Sequence, residues 1–276
     1  MIFFLILQPI CTKVIDLRDK NALVTGASSG IGAAIARRLA KEKCNLFLTG
    51  LGEDQLRQTK ETCEQEGVTV YYKECNFGEF ASIHELVNEI KSTGFSIDLY
   101  VLNAGISQRD RGLDTDFTID QRIMQVNYWS SVYLVKQFKD EILAKENVSM
   151  SVTTSLAGLF GFPLRTSYCA SKHALFGFFE SLDLEYPNIH VTFLIPGRIN
   201  TPISKSALMG NGEKYAKMDP GQAKGLDVDK AAARAVKAIK RQRHRKLIGK
   251  GELLMAYINR YIPWLYYKIA NKISPT

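Results

Sequence analysis

The stretch Thr25-Gly26-Ala27-Ser28-Ser29-Gly30-Ile31-Gly32 decides the fold of this 276-residue chain. It follows Asn21–Thr25, an apolar segment of the length expected for a buried strand, and it opens an amphipathic segment of helical period. Gly26 permits a tight turn, Gly30 lets the backbone approach a phosphate closely, and Gly32 allows the helix to pack against the strand. The free N–H groups at the start of the helix favour an anion. This loop therefore predicts a dinucleotide-binding site.

Apolar strand-like segments and amphipathic helical segments alternate on either side of this loop. Strands are predicted at Asn21–Thr25, Asn45–Thr49, Val68–Lys73, Ile97–Leu102, Val148–Thr154 and Ile189–Ile195. Helices are predicted at Gly30–Lys41, about Glu53–Glu66, Glu79–Ser92, Asp116–Lys145 with a break near Asn127, Thr166–Glu185 and Asp227–Arg241. Such alternation with right-handed crossovers predicts an α/β fold, a single-domain, Rossmann-like, doubly wound parallel sheet with helices on both faces.

Composition divides the chain into a central body and two flanking segments. We assign residues 1–18 to an apolar N-terminal extension, 19–250 to the Rossmann-like domain and 251–276 to a basic, aromatic C-terminal tail. Residues 202–226 are rich in Gly and Pro and predict a mobile flap over the site, with an ordinary surface loop as the alternative. The apolar run Met1–Leu7 is too short to span a bilayer and lacks the basic start of a signal peptide.

The net charge of +8 is concentrated near the C-terminus. From Lys237 onward there are ten Lys and Arg residues against one acid, Glu252, whereas the preceding 236 residues are close to neutral. A nucleic-acid-binding module usually spreads basic residues over its recognition surface, so no nucleic-acid partner is expected. The aromatic residues and Pro263 of Leu253–Ile273 argue against a spanning helix. They favour peripheral contact with an anionic membrane, or a tail that closes the pocket or an oligomer interface.

The five cysteines and four histidines carry no recognisable metal motif. The cysteines form no C-x-x-C pair, which argues against a disulfide framework or a zinc site and favours a reducing, cytoplasmic compartment. The histidines show no ligand-like spacing, so no metal site is predicted. Cys169 adjoins Tyr168, but neighbouring residues face different sides of a helix, and a packing role is expected.

The end of the second predicted strand, Leu48-Thr49-Gly50-Leu51-Gly52, bears on the choice of nicotinamide cofactor. An acid there would bind the ribose 2′-hydroxyl of NAD, and a base would favour the 2′-phosphate of NADP. The sequence has neither. The absence of an acid removes a repulsion, and NADP is the expected cofactor, with NAD as the alternative.

Tyr168 and Lys172 are four residues apart on a predicted helix and therefore share one face. A free tyrosine has a pKa of about 10, too high for efficient proton transfer near neutrality. A nearby ammonium group is expected to lower that pKa. Ser155, directly after the fifth predicted strand, could orient a substrate oxygen, and Asn127 could hold a water that leads to Lys172. This constellation predicts acid–base chemistry at a carbonyl or alcohol.

With these motifs in this order, residues 19–200 resemble the short-chain dehydrogenase/reductase family. The further matches are Asn103-Ala104-Gly105 after the fourth strand and Pro196-Gly197 followed by Thr201. The stretches Ile106–Arg109 and Ile123–Tyr128 are similar to its dehydrogenase/reductase member 7 branch, which is related to the 11-beta-hydroxysteroid dehydrogenases.

The resemblance implies NAD(P)-dependent hydride transfer between the nicotinamide and a carbonyl or secondary alcohol, in a homodimer or homotetramer. Tyr168 would be the general acid/base, Ser155 the carbonyl orienter, Lys172 the ribose-binding residue and Asn127 the relay residue. The cofactor would contact the glycine loop, Asn76, Asn103, Ala104, Gly105, Tyr168, Lys172, Pro196, Gly197 and Thr201.

Two positions depart from the family pattern. Leu51 replaces a frequent arginine, and Asn76 a frequent aspartate, which leaves the cofactor choice open. A lipophilic substrate is an inference from the tail. A non-catalytic cofactor-binding protein, or an interaction protein recruited to a membrane, is the alternative on the same fold.

Overall fold

A seven-stranded, fully parallel sheet forms the centre of the molecule. The structure, a computed structural model, describes residues 14–270. The strands are β1 Asn21–Thr25, β2 Asn45–Gly50, β3 Val70–Glu74, β4 Leu99–Leu102, β5 Val148–Thr153, β6 Ile189–Pro196 and β7 Arg245–Ile248. Their order across the sheet is β3-β2-β1-β4-β5-β6-β7, so the direction of winding reverses between β1 and β4. This arrangement confirms the predicted doubly wound α/β fold.

Eleven α-helices connect and flank the strands within residues 14–270. They are α1 Gly30–Lys41, α2 Glu53–Glu64, α3 Phe80–Ser92, α4 Phe117–Met124, α5 Ser130–Gln137, α6 Lys139–Leu143, α7 Thr166–Glu185, α8 Pro220–Ala223, α9 Val228–Lys240, α10 Leu254–Tyr261 and α11 Pro263–Ala270. Across these residues, no helix combines the length and the apolar character that crossing a membrane requires.

Two hydrophobic cores lie on opposite faces of the sheet. Helices α1, α2 and α9 bury their apolar sides in one core, and α3, α5 and α7 bury theirs in the other. Strand β1 serves both, because Leu23 faces one core while Ala22 and Val24 face the other. Leu17, just before β1, is also buried in the α1 core.

The main differences from the sequence predictions lie in the second half of the chain. The long helix predicted over Asp116–Lys145 is divided by a π-helical turn at Gln125–Trp129 and by a bend at Phe138. Strand β7 was not predicted, because its four residues, Arg-Lys-Leu-Ile, continue the basic run after α9. It is an edge strand, where Lys and Arg commonly protect the sheet from pairing with other chains.

Candidate active site

The glycine loop joins β1 to α1 at the carboxyl edge of the sheet, beside the point where the winding reverses. Gly26 and Gly30 have φ angles of +68° and +55°, a conformation that residues with a side chain rarely adopt. A Cβ atom at Gly32 would overlap the carbonyl oxygen of Gly26. The three glycines therefore allow the turn, the exposed backbone and the close helix contact that the sequence predicts.

Hydrogen bonds fasten the end of β4 to the end of β1 next to this loop. The Thr25 hydroxyl accepts bonds from the backbone N–H groups of Asn103 and Ala104, at 2.9 and 3.0 Å. The Asn103 amide donates in turn to the Thr25 carbonyl at 3.2 Å. These bonds hold Asn103-Ala104-Gly105 along the cleft that follows the glycine loop.

Tyr168 and Lys172 project from the first two turns of α7 and are both buried. The Lys172 ammonium donates a hydrogen bond of 2.9 Å to the Thr153 carbonyl and lies 5.9 Å from the centre of the Tyr168 ring. The Tyr168 phenol hydrogen-bonds with the side chain of Ser155. Ser155 lies in the loop after β5, separated from the strand by Thr154. Three residues from two elements thus converge at one point.

The electrostatics of this pair differ from the sequence prediction. Burial raises the pKa of Tyr168, although its hydrogen bond with Ser155 and the guanidinium of Arg165 act in the opposite direction. Burial also lowers the pKa of Lys172 to about 8. The predicted lowering of the Tyr168 pKa by the ammonium is therefore wrong for this structure. Desolvation outweighs the attraction between phenolate and cation, and it keeps Tyr168 protonated near neutral pH.

Asn127 lies in the π-helical turn and is 1% exposed. Its side-chain oxygen accepts a 2.8 Å bond from the Ile106 N–H, and its amide donates to the Ile106 carbonyl and to the Ser171 hydroxyl. Ser171 is the residue immediately before Lys172. Asn127 therefore ties the loop after β4 to α7 at the level of the buried lysine.

Most of the predicted site residues line a single cleft of about 250 Å³. Those that line it are Gly26, Ser28, Ser29, Gly30, Ile31, Asn76, Asn103, Ala104, Gly105, Tyr168, Lys172, Pro196 and Thr201. Gly32, Asn127, Ser155 and Gly197 are predicted site residues that do not line it. Gly197 is bonded instead to β7, through its N–H and the Ile248 carbonyl.

The cleft fits a long anionic ligand by charge and by shape. Among its lining residues there are two cations, Arg122 and Lys172, and no acid. A Cβ atom at Gly105 would lie 3.3 Å from the Lys172 nitrogen and 3.1 Å from the Asn127 side-chain oxygen. Gly105 therefore leaves open the space beside the ammonium. Arg122, on α4, was missed by the sequence analysis because no motif marks it.

Asn76 lines the cleft, but its side chain also stabilises the loop after β3. Its oxygen accepts from the Gly78 N–H at 3.0 Å, and its amide donates to Glu79 at 2.7 Å. Leu51 lines the same end of the cleft and is exposed. The structure thus brings the two residues that depart from the family pattern to one end of the site.

A buried ion pair joins the predicted flap to the loop after β4, and spacing in the sequence gave no sign of it. Arg109 donates three hydrogen bonds to Asp219, the shortest of 2.6 Å, and both side chains are almost fully buried. Arg165, the residue immediately before α7, also contacts Asp219, at 3.3 Å. The Leu208 N–H and carbonyl bond with the backbones of Ser107 and Arg109. Part of the predicted flap is thus bonded to the loop after β4. The mobility of the flap stays a prediction.

At the start of the flap, Pro202, Ile203 and Ser206 line the cleft directly. Cys169 faces away from the cleft, where its sulfur accepts a bond from the Phe162 N–H at 3.3 Å and burial raises the pKa of its thiol. Both observations agree with the packing role expected for this cysteine.

With this geometry established, the family can be assigned. A family model described as short chain dehydrogenase matches residues 20–211, well over half of the chain. The chain therefore belongs to the short-chain dehydrogenase/reductase family and is an oxidoreductase of that type.

Curated relatives confirm the predicted resemblance to the dehydrogenase/reductase member 7 branch. The "Dehydrogenase/reductase SDR family protein 7-like" of Anopheles gambiae is 34% identical over 272 residues, which cover 94% of this chain and 86% of the relative. The "Dehydrogenase/reductase SDR family member 7B" of Danio rerio is 29% identical over 266 residues, covering 92% of this chain and 85% of the relative.

Solved structures of other proteins share the fold. A short-chain dehydrogenase/reductase from Burkholderia phymatum, solved in complex with NAD, superposes with a TM-score of 0.79 at 22% identity and covers 95% of this chain and 98% of its own. An alcohol dehydrogenase from Thermococcus sibiricus, complexed with 5-hydroxy-NADP, gives a TM-score of 0.72 at 24% identity and covers 85% and 97%.

Proposed function

We propose that this protein reduces a carbonyl group with a nicotinamide cofactor, preferentially NADPH. The observation that carries the proposal is the contact of Ser155 with Tyr168, which together with Lys172 is buried and lines a cleft that begins at a helix N-terminus. The fold neighbours solved with NAD and 5-hydroxy-NADP support a cofactor of this class.

Residues at the two ends of the cleft would bind different parts of the cofactor. The N–H groups at the start of α1 would hold the pyrophosphate, and the Lys172 ammonium would donate to ribose hydroxyls. When bound, the cofactor supplies a hydride to the carbonyl carbon. Arg122 supports the preference for NADPH, because it adds a cation to a cleft that no acid lines.

Tyr168 would act as the proton donor in the reductive direction. Because burial raises the pKa of its phenol, the protonated form predominates near neutral pH, which is the form that reduction requires. The Ser155 hydroxyl, in hydrogen-bonding contact with that phenol, would orient the substrate oxygen. Asn127 would hold the water relay and keep α7 in register through Ser171.

A lipophilic substrate is supported by the loop that follows Ser155. Phe160 and Phe162 pack against each other there, and the ring of Tyr266 from α11 lies 5.0 Å from that of Phe160. The Tyr266 hydroxyl donates a hydrogen bond to the Gly161 carbonyl. The C-terminal tail therefore packs against this loop, which supports the alternative in which the tail closes the pocket.

The opposite side of the tail supports peripheral contact with an anionic membrane. Leu254, Tyr257, Tyr261, Trp264 and Tyr267 are exposed together with Arg260 and Lys268. An interfacial helix gains from burial of such apolar side chains and from the attraction of its cations to lipid. A homodimer or homotetramer and a cytoplasmic location stay predictions, to be checked by light scattering and by cell fractionation.

The function is tested by Tyr168→Phe, assayed with NADPH and an activated aldehyde such as 4-nitrobenzaldehyde. We expect turnover to fall by about a hundredfold or more, because proton donation contributes on that order, while NADPH affinity stays within about threefold. Tyr186→Phe is the matched control, since this tyrosine lies just after α7 and outside the cleft. Full turnover in Tyr168→Phe would contradict the proposal.

A further inference from the structure

A cluster of two histidines and an aspartate lies at the amino edge of the sheet, opposite the cleft. Asp183 is near the end of α7, His190 is in β6, and His244 immediately precedes β7. One ligand-type atom from each residue lies within 4.8 Å of the others. No such grouping was expected from the sequence, because 54 residues separate the two histidines.

Hydrogen bonds to the backbone hold each of the three residues in place. The Asp183 carboxylate accepts from the Val191 N–H at 2.8 Å, which ties the end of α7 to β6. The His244 carbonyl accepts from the Phe193 N–H at 2.8 Å, which starts the pairing of β6 with β7. The His190 ring hydrogen-bonds with the backbone of Gln242, a contact that commonly orients metal-ligating histidines.

The three side chains are close enough to share one ion. One carboxylate oxygen of Asp183 is 3.1 Å from His244 Nδ1, near the separation of about 3.4 Å between ligands of a tetrahedral zinc ion. The other oxygen is 3.9 Å from His190 Nδ1; because the Gln242 contact engages that nitrogen, Nε2 of the same ring is the one left to bind an ion. The His244 side chain is 59% exposed, so its ring has room to rotate toward a shared ion.

The chemistry of the donors favours a borderline-soft divalent cation. His190 Nε2 is buried and has no hydrogen-bond partner among the described residues, so one ring nitrogen is uncommitted. The guanidinium of Arg245, which follows His244 in the chain, is engaged with Glu180 at 2.7 Å and with the face of Phe176.

We propose that Asp183, His190 and His244 form a zinc-binding site that clamps the end of α7 to β6 and to the edge strand β7. Two imidazoles and one carboxylate supply three ligands, and the solvent-exposed side of His244 leaves the fourth position to water. The site is at the opposite edge of the sheet from Tyr168, so its role is structural or regulatory. It is independent of the proposed reductase activity.

Isothermal titration with Zn²⁺ tests the site, using the full chain with Cys11→Ser to remove one competing thiol. We expect one Zn²⁺ per chain, with affinity reduced tenfold or more in His244→Ala and in Asp183→Asn. His84→Ala is the matched control, because His84 is an exposed histidine on α3, outside the cluster. Mg²⁺, which prefers oxygen ligands, should give no binding heat.

A thermal-unfolding series with and without Zn²⁺ provides the second readout. Zinc should raise the melting temperature of the parent and of His84→Ala, and it should leave that of His244→Ala unchanged. The site is refuted if His244→Ala and Asp183→Asn bind Zn²⁺ like the parent, if His84→Ala loses as much affinity as they do, or if the parent binds none. NADPH titration of the same samples reports separately on the reductase proposal.

Discussion

The glycine loop and the C-terminal tail represent opposite ways in which this sequence specifies structure. In the loop, Gly26, Gly30 and Gly32 each satisfy one backbone requirement, and little choice of conformation is left. In the tail, α10 and α11 bury Tyr266 and Ala270 but leave a row of aromatic side chains exposed. The loop is determined by contacts within the chain, whereas the aromatic side chains on the outer face of the tail are exposed.

Substitutions in the two regions should have different consequences. A change in the loop or at Lys172 alters atoms that have no room or no solvent around them. A change on the outer face of the tail alters atoms already in contact with water, and surface substitutions of this kind usually change stability by at most about 0.5 kcal/mol. Effects on folding and cofactor binding should therefore decrease from the first region to the second.

The largest effect is expected from Gly32→Val. Its side chain would overlap the Gly26 carbonyl and crowd the Asn103 amide, so α1 could not pack against the loop. We expect NADPH binding to be lost and the melting temperature to fall. Gly251→Ala, at the start of the tail, is the control, because a Cβ there meets no atom within 4 Å. If Gly32→Val bound NADPH as tightly as the parent, the glycine loop would not be as intolerant of side chains as its contacts indicate.

Lys172→Met should weaken NADPH binding by about ten- to a hundredfold and remove its dependence on pH. Burial lowers the pKa of Lys172 to about 8, so the free protein carries the ammonium below that pH and loses it above. NADPH, an anion, favours the charged form. Its affinity should therefore be constant below pH 8 and decrease as the pH rises further.

This pH dependence is measured by NADPH titration from pH 6.5 to 9.5. Lys230→Met, at an exposed position on α9, is the control and should follow the parent at every pH. If the affinity of Lys172→Met declined above pH 8 in parallel with the parent, another group would be responsible and the ribose-binding role would be disproved.

Arg122→Gln should reduce NADPH affinity by about tenfold, equivalent to roughly 1.4 kcal/mol, and leave NADH affinity within about twofold. Arg122 lines the cleft as its second cation, and the additional phosphate of NADPH is the group expected to depend on it. The exposed Arg111, paired with Asp114, provides the control Arg111→Gln. Equal losses for both cofactors would show that Arg122 does not select between them.

The smallest effect on stability is expected from substitutions on the outer face of the tail. Trp264→Ser combined with Tyr267→Ser should leave the melting temperature nearly unchanged, since both side chains are exposed. The same variant should lose co-sedimentation with anionic liposomes at low salt, whereas the parent should sediment. Liposome binding by the variant at the level of the parent would exclude this face as the membrane contact.

The parts of the fold that could be predicted are those encoded by local patterns. The boundaries of β1, α1 and α7 were predicted to the residue, because glycines, apolar runs and helical periods lie within each segment. Strand β7 was missed because four residues, two of them basic, carry no such pattern. The π-helical turn around Asn127 was expected only as a break.

The parts of the site that could not be predicted depend on contacts between distant residues. Tyr168 and Lys172 share a helix face, so spacing alone brings them together. Arg109 and Asp219 are 110 residues apart, and no periodicity connects them. The raised pKa of Tyr168 is equally invisible in the sequence, because it follows from burial of the phenol in the folded chain.

The central claim is most directly tested by titrating the full chain with NADPH and with NADH. Energy transfer from tryptophan to bound nicotinamide reports binding, with circular dichroism as a check that the sample is folded. Trp129 lies in the groove next to the cleft and is the expected donor. We predict saturable binding of both cofactors, with NADPH the tighter. A folded protein that binds neither would contradict the assignment of this cleft and, with it, the proposed reductase activity.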